Sequence, residues 1–133
     1  MCDDGCMESI ATVSLRAYND SIRQDMPQIV DDLRQVLGAK LVAYIAVVSE
    51  TRTVREWATT GRRPAPAAEQ RLRLAHRVVT LIRASDGAGI VPNWFQGLNP
   101  MLGDRSPARM LREDDFDDAG PRVLAAATAF VGA

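Results

Sequence analysis

The sequence contains little that would support a metal site, a disulfide framework or a membrane span. It has two cysteines, Cys2 and Cys6, and neither has Cys or His neighbours at zinc-ligand spacing. The longest uncharged apolar run, 41–48, is far shorter than the roughly 18 residues that a membrane-spanning helix needs. Asp3 and Asp4 stand where a secretory signal carries Lys or Arg. We therefore expect a cytoplasmic protein without metal, cofactor or membrane partner.

Catalytic constellations are also missing from the sequence. His76 is the only histidine and falls inside a predicted helix, so we expect a surface histidine rather than a member of a catalytic triad. The segment 87–89 lacks the third glycine and the preceding strand of a dinucleotide-binding loop. The acidic run 113–118 lacks the pattern of a calcium loop. We interpret it as a solvated linker or, alternatively, as a surface that faces a basic partner. No catalytic residue is assigned, and we expect no enzymatic activity.

Lysine is nearly absent, and positive charge is concentrated in the middle of the chain. Lys40 is the single lysine among sixteen basic residues. Residues 1–39 carry a formal charge of −4, residues 40–83 carry +6 and residues 84–133 carry −3, for a total of −1. A basic centre suggests an anionic partner, most commonly nucleic acid. A solvated, Arg-rich helix face explains the same charge equally well.

What the sequence does contain is apolar residues at helical spacing, which predict one compact all-α fold for the 133 residues. An amphipathic stripe predicts a first helix from Met26 to Leu37 that ends at Gly38. A mostly apolar segment, 41–46, predicts a buried second helix. The third predicted helix covers 52–58, with Ser49 or Thr51 as its N-cap and Gly61 as its stop. Trp57 is predicted to be a core anchor of that helix.

The second half of the chain is also predicted to be helical. The longest helix is expected from Pro66 to Ala84, with its arginines exposed to water. The other predicted features are a glycine-rich break over 86–89, an aromatic segment over 90–98, a turn at Asn99-Pro100, a helix over 108–113 that begins after Ser106-Pro107, and a last helix over 121–130. We expect Leu98 and Met101 to pack the turns together with Trp94.

The second and third predicted helices match a helix-turn-helix in length and polarity. In that motif the second helix lies in the major groove, and neighbouring arginines hold phosphates. Val47-Val48 stands where many such units have a turn glycine. The residues predicted to bind DNA are Arg52, Thr53 and Arg55 on the helix, with Arg62 and Arg63 on phosphates.

Two ordered series of residues give the sequence a family resemblance. The first comprises Leu37-Gly38-Ala39-Lys40, then Thr53 to Ala58 with Gly61 and Pro64, then Glu69 to Ala75. The second comprises Trp94-Phe95, Leu98-Asn99-Pro100, Leu102-Gly103 and Ser106 to Leu111. Over about residues 26–133 the chain resembles the Xre/MbcA/ParS antitoxins. The first series resembles their DNA-binding-like half, and the second, more specific series resembles their toxin-binding half.

The resemblance implies an antitoxin that neutralises a RES-type, NAD-consuming toxin and represses its own operon. It divides the chain into an acidic extension over 1–25, a helix-turn-helix-like domain over 26–84 and a toxin-binding region over 85–133. It also implies a homodimer or a larger hetero-oligomer with the toxin, and a C-terminal segment placed at the toxin's active-site cleft. The implied toxin-binding residues are Trp94, Asn99, Pro100, Arg109, Phe130, Val131, Gly132 and Ala133. A DNA-binding regulator without a toxin partner and a helical scaffold are the alternatives.

Overall fold

The computed structural model describes residues 25–132, and that part of the chain is all-α without a strand. Residues 1–24 of the expected extension over 1–25, with Cys2 and Cys6, and the last residue, Ala133, lie outside the described residues. Two short 3-10 turns, Ala88–Ile90 and Pro100–Leu102, accompany the helices. The helices are α1 (Met26–Leu37), α2 (Ala39–Ala46), α3 (Thr51–Thr59), α4 (Pro66–Asp86), α5 (Val91–Gln96), α6 (Pro107–Glu113) and α7 (Phe116–Gly132).

The first three helices follow the predicted pattern closely. α1 ends at Gly38, whose φ of 87° is readily adopted only by glycine and whose N–H donates to the Arg34 carbonyl at 3.0 Å. α3 buries Val54 and Trp57 on one face, as expected for a core anchor. The predicted N-caps of α3 are wrong. Glu50 holds the N-cap position without a side-chain hydrogen bond, and Thr51 is already the first helical residue.

α4 is the central helix of the core, since α1, α2 and α7 all pack against it. This position corrects the expectation of a surface histidine, because His76 is only 2% exposed and its Nε2 lies 3.2 Å from the Asp32 carboxylate of α1. Arg73 and Arg77 on the same helix are half-buried rather than fully wet. A helix surrounded on several sides buries more of its circumference than a single apolar stripe predicts.

α7 begins five residues earlier than the sequence predicted. Pro121 is typical of a first helical position, but here it lies in the second turn of a helix that starts at Phe116. Proline has no N–H, so the exposed Asp117 carbonyl loses its helical partner and can be solvated instead. The predicted linker 113–118 is shorter than expected, because α6 ends at Glu113, α7 begins at Phe116, and only residues 114 and 115 join them.

One cluster of buried apolar residues forms the core, and it includes residues from both predicted segments, 26–84 and 85–133. α4 and α7 share the most extensive contact between helices among the described residues, and α2 packs against α6. Trp94 is buried, as predicted, and meets Phe95 edge to face at 5.3 Å between ring centroids. The C-terminal helix α6 therefore helps to form the surface on which α2 lies, and α3 packs against α1 and α2.

Candidate functional site

The first candidate surface is the outer face of α3, which carries the predicted DNA contacts. α2 and α3 are joined by residues 47–50 and pack against each other and against other helices of the core. Because Val54 and Trp57 face inward, Arg52 and Arg55 are directed to solvent, while Thr53 is half-buried. The structure therefore places the predicted side chains of this helix on an accessible face. Docking of this helix in a DNA groove stays a prediction.

Ion pairs within the protein reduce the positive charge of this face. Glu56 accepts hydrogen bonds from Arg52 at 3.2 Å and from Arg62 at 2.7 Å. The Arg62 hydrogen bond first, and the Arg52 hydrogen bond second, lower the pKa of the Glu56 carboxyl below its ordinary value. This carboxylate is consequently ionised at neutral pH and offsets one of the two guanidinium charges.

Arg63 is paired in a similar way. Its Nη2 lies 3.2 Å from a carboxylate oxygen of Glu69, and Arg73 donates to the other oxygen of the same carboxylate at 3.1 Å. Arg55 differs, because no carboxylate within residues 25–132 forms an ion pair with it. Of the four predicted DNA-binding arginines, Arg55 thus carries the least compensated charge.

The second candidate surface is a turn formed by residues 97–106, here called the exposed turn. Asn99 organises it: its side-chain oxygen accepts from the Met101 N–H, and its carbonyl accepts from the N–H groups of Leu102 and Asp104, all at 2.9 Å. The Asn99 N–H donates to the Arg105 carbonyl at 3.1 Å, which closes the turn with an isolated bridge. Asn99 is therefore committed to the backbone of the turn, whereas Pro100 is exposed.

The exposed turn presents apolar side chains to solvent, contrary to the expectation that they pack it. Leu98 is 77% exposed and Met101 is 54% exposed. Asn99 and Pro100 fix the backbone through local hydrogen bonds and a restricted φ, so apolar packing is not needed to form the turn. Leu102 is the apolar residue of the turn that points into the core.

A bidentate ion pair anchors the end of the exposed turn to α6 and α7. The two terminal nitrogens of the Arg105 guanidinium contact the two carboxylate oxygens of Asp114, with Nη1 at 2.9 Å from Oδ1. This hydrogen bonding lowers the pKa of Asp114 and raises that of Arg105. Asp114 also follows the last residue of α6, so the pair holds the turn against the junction between the last two helices.

The remaining residues implied to bind a toxin lie in two places. Ser106 caps α6 by accepting from the Arg109 N–H at 3.1 Å, with Pro107 at the first helical position, as predicted. The exposed Arg109 side chain pairs with Glu113 one turn later. At the other place, Phe130 contacts Trp94 with 6.4 Å between ring centroids.

The end of α7 is part of the folded helix. Val131 is buried, and the helix continues to Gly132. The C-terminal segment implied to reach the toxin's cleft is therefore, over residues 129–132, the last turn of a packed helix. Ala133 follows outside the described range.

Sequence reasoning missed four residues of these surfaces. Leu98 and Met101 were expected to pack the turn, but they flank Asn99-Pro100, and the surface position of most turns was a signal that could have found them. Arg71 and Arg112 were also missed, and no local pattern singles them out. They are brought to the α2–α3 region only by tertiary contacts with the carbonyls of Leu111 and Tyr44.

Comparisons with protein-family models, with curated proteins and with solved structures found no match. Within residues 25–132, no three His, Cys, Asp or Glu side chains come together in a way that could hold a metal ion. Over the same part of the chain, each helix is too short or too polar to cross a bilayer.

Proposed function

We propose that this protein is an antitoxin that binds and neutralises a RES-type, NAD-consuming toxin through the exposed turn. The single observation that carries the proposal is the exposure of Leu98 and Met101 on a backbone fixed by Asn99 and by the Arg105–Asp114 pair. Isolated surface apolar residues are common, but here two large ones stand on either side of Asn99 and the exposed Pro100, within one short turn.

The rigidity of the exposed turn favours its use in binding. An apolar side chain on a mobile loop loses conformational entropy when a partner immobilises it. Leu98 and Met101 avoid most of the backbone part of that cost, because the turn is already held by hydrogen bonds at both ends. Burial of these two apolar side chains against a partner would contribute favourable free energy to binding.

The C-terminal end takes part in the same proposal. The contact between Phe130 and Trp94 joins the end of α7 to α5, the helix that directly precedes the exposed turn. We place Phe130 and Gly132 of this helical end, together with Arg109, at the border of the toxin contact. Because Val131 is buried, shortening the chain to test this border should remove only residues 132 and 133.

The test is co-expression with a RES-type toxin encoded beside the gene for this protein. The double variant Leu98→Asp, Met101→Asp should fail to neutralise the toxin, so that growth arrest and NAD loss appear. The matched control is Ile90→Asp, an exposed apolar residue at the opposite end of α5. If the double variant is folded by circular dichroism and still neutralises fully, the exposed turn is not the toxin contact.

A second candidate function, operator binding through α3, is favoured by the exposure of Arg52 and Arg55 on one accessible helix face. The variant Arg52→Ala, Arg55→Ala should weaken binding to the region upstream of its own gene in a mobility-shift titration. Arg52 and Arg62 both pair with the Glu56 carboxylate, whereas Arg55 forms no ion pair within residues 25–132. Arg55→Ala alone should therefore account for most of the loss of DNA binding. Unchanged DNA binding by this variant would show that α3 is not the DNA-reading helix. If the wild type neither neutralises the toxin nor binds the DNA, a helical scaffold is the function that remains.

A further inference from the structure

A cleft beside the α2–α3 turn collects four arginines and no acidic residue. It has a volume of about 440 Å³ and is bordered by the turn, by the loop between α3 and α4, by the start of α4 and by α6. The arginines that line it are Arg62, Arg63, Arg71 and Arg112, and its apolar wall includes Trp57. Four cations around one cavity create a positive potential that favours an anionic occupant.

Two of these arginines are held in place by neutral groups. Arg71 donates from Nε to the Leu111 carbonyl at 2.7 Å and from Nη1 to the Ala67 carbonyl at 3.1 Å. Arg112 donates from Nη1 to the Tyr44 carbonyl at 2.8 Å and stacks over the Tyr44 ring at 4.7 Å. Carbonyls and a ring fix the orientation of a guanidinium without cancelling its charge. Both side chains are half-buried, which limits the solvent screening of that charge.

The other two arginines differ in how their charge is compensated. Arg62 and Arg63 reach from the loop and pair with Glu56 and Glu69, which do not line the cleft. Within residues 25–132, neither Arg71 nor Arg112 forms an ion pair with a carboxylate. The cleft therefore has two preorganised, uncompensated cations, and two exposed, ion-paired cations at its rim.

We propose that this cleft binds a phosphate group, with Arg71 and Arg112 as its fixed ligands and Arg62 and Arg63 as its rim. Each guanidinium has five N–H donors and uses at most two of them inside the protein. The free donors suit a phosphate, which offers several acceptor oxygens and can carry more than one negative charge.

The phosphate has two possible sources, a nucleic-acid backbone or a free phosphorylated small molecule. Arg112 also borders a wider groove of about 830 Å³ that Lys40, Glu50 and Arg52 line. An extended phosphate chain that leaves the cleft would pass along that groove beside α3. The proposal does not depend on toxin binding, because it involves none of the residues of the exposed turn.

The experiment uses the full chain, with inorganic pyrophosphate and a short DNA duplex as probes. Pyrophosphate should raise the melting temperature of the wild type beyond the effect of sodium chloride at equal ionic strength. Arg71→Gln and Arg112→Gln should each weaken binding about tenfold, because each removes a charged hydrogen-bond donor. Arg83→Gln is the matched control, since Arg83 is exposed on α4 and does not line the cleft.

A second variant, Arg62→Gln, Arg63→Gln, changes only exposed side chains of the loop after α3. It keeps the test valid if Arg112→Gln unfolds because its contact with Tyr44 is lost. If the cleft variants bind both probes, or the duplex alone, more weakly than the wild type does, a nucleic-acid backbone is the supported ligand. If they bind pyrophosphate more weakly and the duplex as the wild type does, a small phosphorylated ligand is supported. The proposal is overturned if pyrophosphate acts no more strongly than chloride and Arg71→Gln binds the duplex as Arg83→Gln does. Toxin neutralisation by Arg71→Gln should stay at the wild-type level throughout.

Discussion

Val47 carries the most unfavourable backbone conformation among the non-glycine residues of 25–132. Its φ of 62° and ψ of 44° lie in the left-handed region, which β-branched residues rarely adopt. The residue ends α2 at the position where a helix-turn-helix often has glycine, and its side chain is 47% exposed. A valine thus adopts a left-handed conformation that glycine usually provides.

Replacing Val47 with glycine should therefore stabilise the protein. Relief of the left-handed conformation is worth about 1–2 kcal/mol, and the greater freedom of glycine in the unfolded chain offsets part of it. We expect a net gain of about 0.5–1 kcal/mol, measured as a higher urea midpoint at an unchanged m-value. Val48→Gly is the control and should destabilise, because Val48 is half-buried and has no positive φ. A lower midpoint for Val47→Gly would contradict this explanation.

The Arg105–Asp114 pair makes a pH-dependent contribution to stability. Its hydrogen bonds lower the pKa of Asp114 in the folded state below the ordinary value of 3.8. A lowered carboxyl pKa stabilises the folded state above the unfolded pKa, and that contribution is lost as the pH falls through the folded pKa. The pair should thus hold the exposed turn at neutral pH and release it in strong acid.

Asp114→Asn should consequently lower the melting temperature at pH 7. It should also reduce the difference in melting temperature between pH 7 and pH 3. Melting temperatures at the two pH values measure both effects. Asp86→Asn serves as the matched control, since Asp86 is exposed at the end of α4 and forms no ion pair within residues 25–132. If the melting temperature of Asp114→Asn falls as much between pH 7 and pH 3 as that of the wild type, the Arg105–Asp114 pair contributes nothing to the loss of stability in acid.

At the scale of elements, the contact between α4 and α7 depends on the absence of a side chain at Gly120. A Cβ at this position would lie 3.2 Å from Leu74 Cδ2 and 3.2 Å from Phe116 Cζ. Gly120→Val should cost about 1–3 kcal/mol by overpacking the contact, despite the low helix propensity of glycine. Ala125→Val on the exposed side of α7 should cost well under 1 kcal/mol, about the propensity difference. Equal urea midpoints for the two variants would show that the helices are not closely packed at Gly120.

The positions of most elements were predictable because local signals determine them. Gly38, Pro66 and Ser106-Pro107 mark the ends of α1, α4 and α6 with side-chain and backbone chemistry that acts within a few residues. The early start of α7 was not predictable in this way, because the packing of Ala119 and Gly120 in the core outweighs the signal of Pro121. The burial of His76 likewise results from the central position of α4, which periodicity alone does not give.

The candidate surfaces were predictable only in part. The sequence identified Arg52, Arg55 and the Asn99-Pro100 turn as accessible, but their charge balance depends on partners that tertiary structure supplies. Glu56 reaches both Arg52 and an arginine six residues later, a pairing that the geometry of the loop after α3 decides. Arg71 and Arg112 meet the same cleft from helices about forty residues apart in sequence. Contacts at that separation leave no periodic signal in a single sequence.

At the scale of the whole molecule, the shared core predicts that the two segments 26–84 and 85–133 unfold together. Each segment has one tryptophan, Trp57 and Trp94, and both are buried in the same cluster. Trp57→Phe leaves the fluorescence of Trp94 as a probe of the second segment, and Trp94→Phe leaves Trp57 as a probe of the first.

The two single-tryptophan proteins should each show one urea transition in which fluorescence and circular dichroism coincide. Phenylalanine keeps most of the buried apolar area, so moderate destabilisation is expected in both variants. Two separate transitions in either variant, with fluorescence lost before helicity, would show that the segments are independent folding units.

For the proposed toxin contact, the exposed turn has a consequence for the speed of binding. Its backbone is already closed by the bridge between Asn99 and Arg105 and by the ion pair to Asp114, so no segment has to fold during the encounter. Association should therefore follow a single exponential whose rate rises linearly with partner concentration, at about 10⁵–10⁷ M⁻¹s⁻¹. Loss of Leu98 or Met101 should leave that association rate nearly unchanged and shorten the lifetime of the complex.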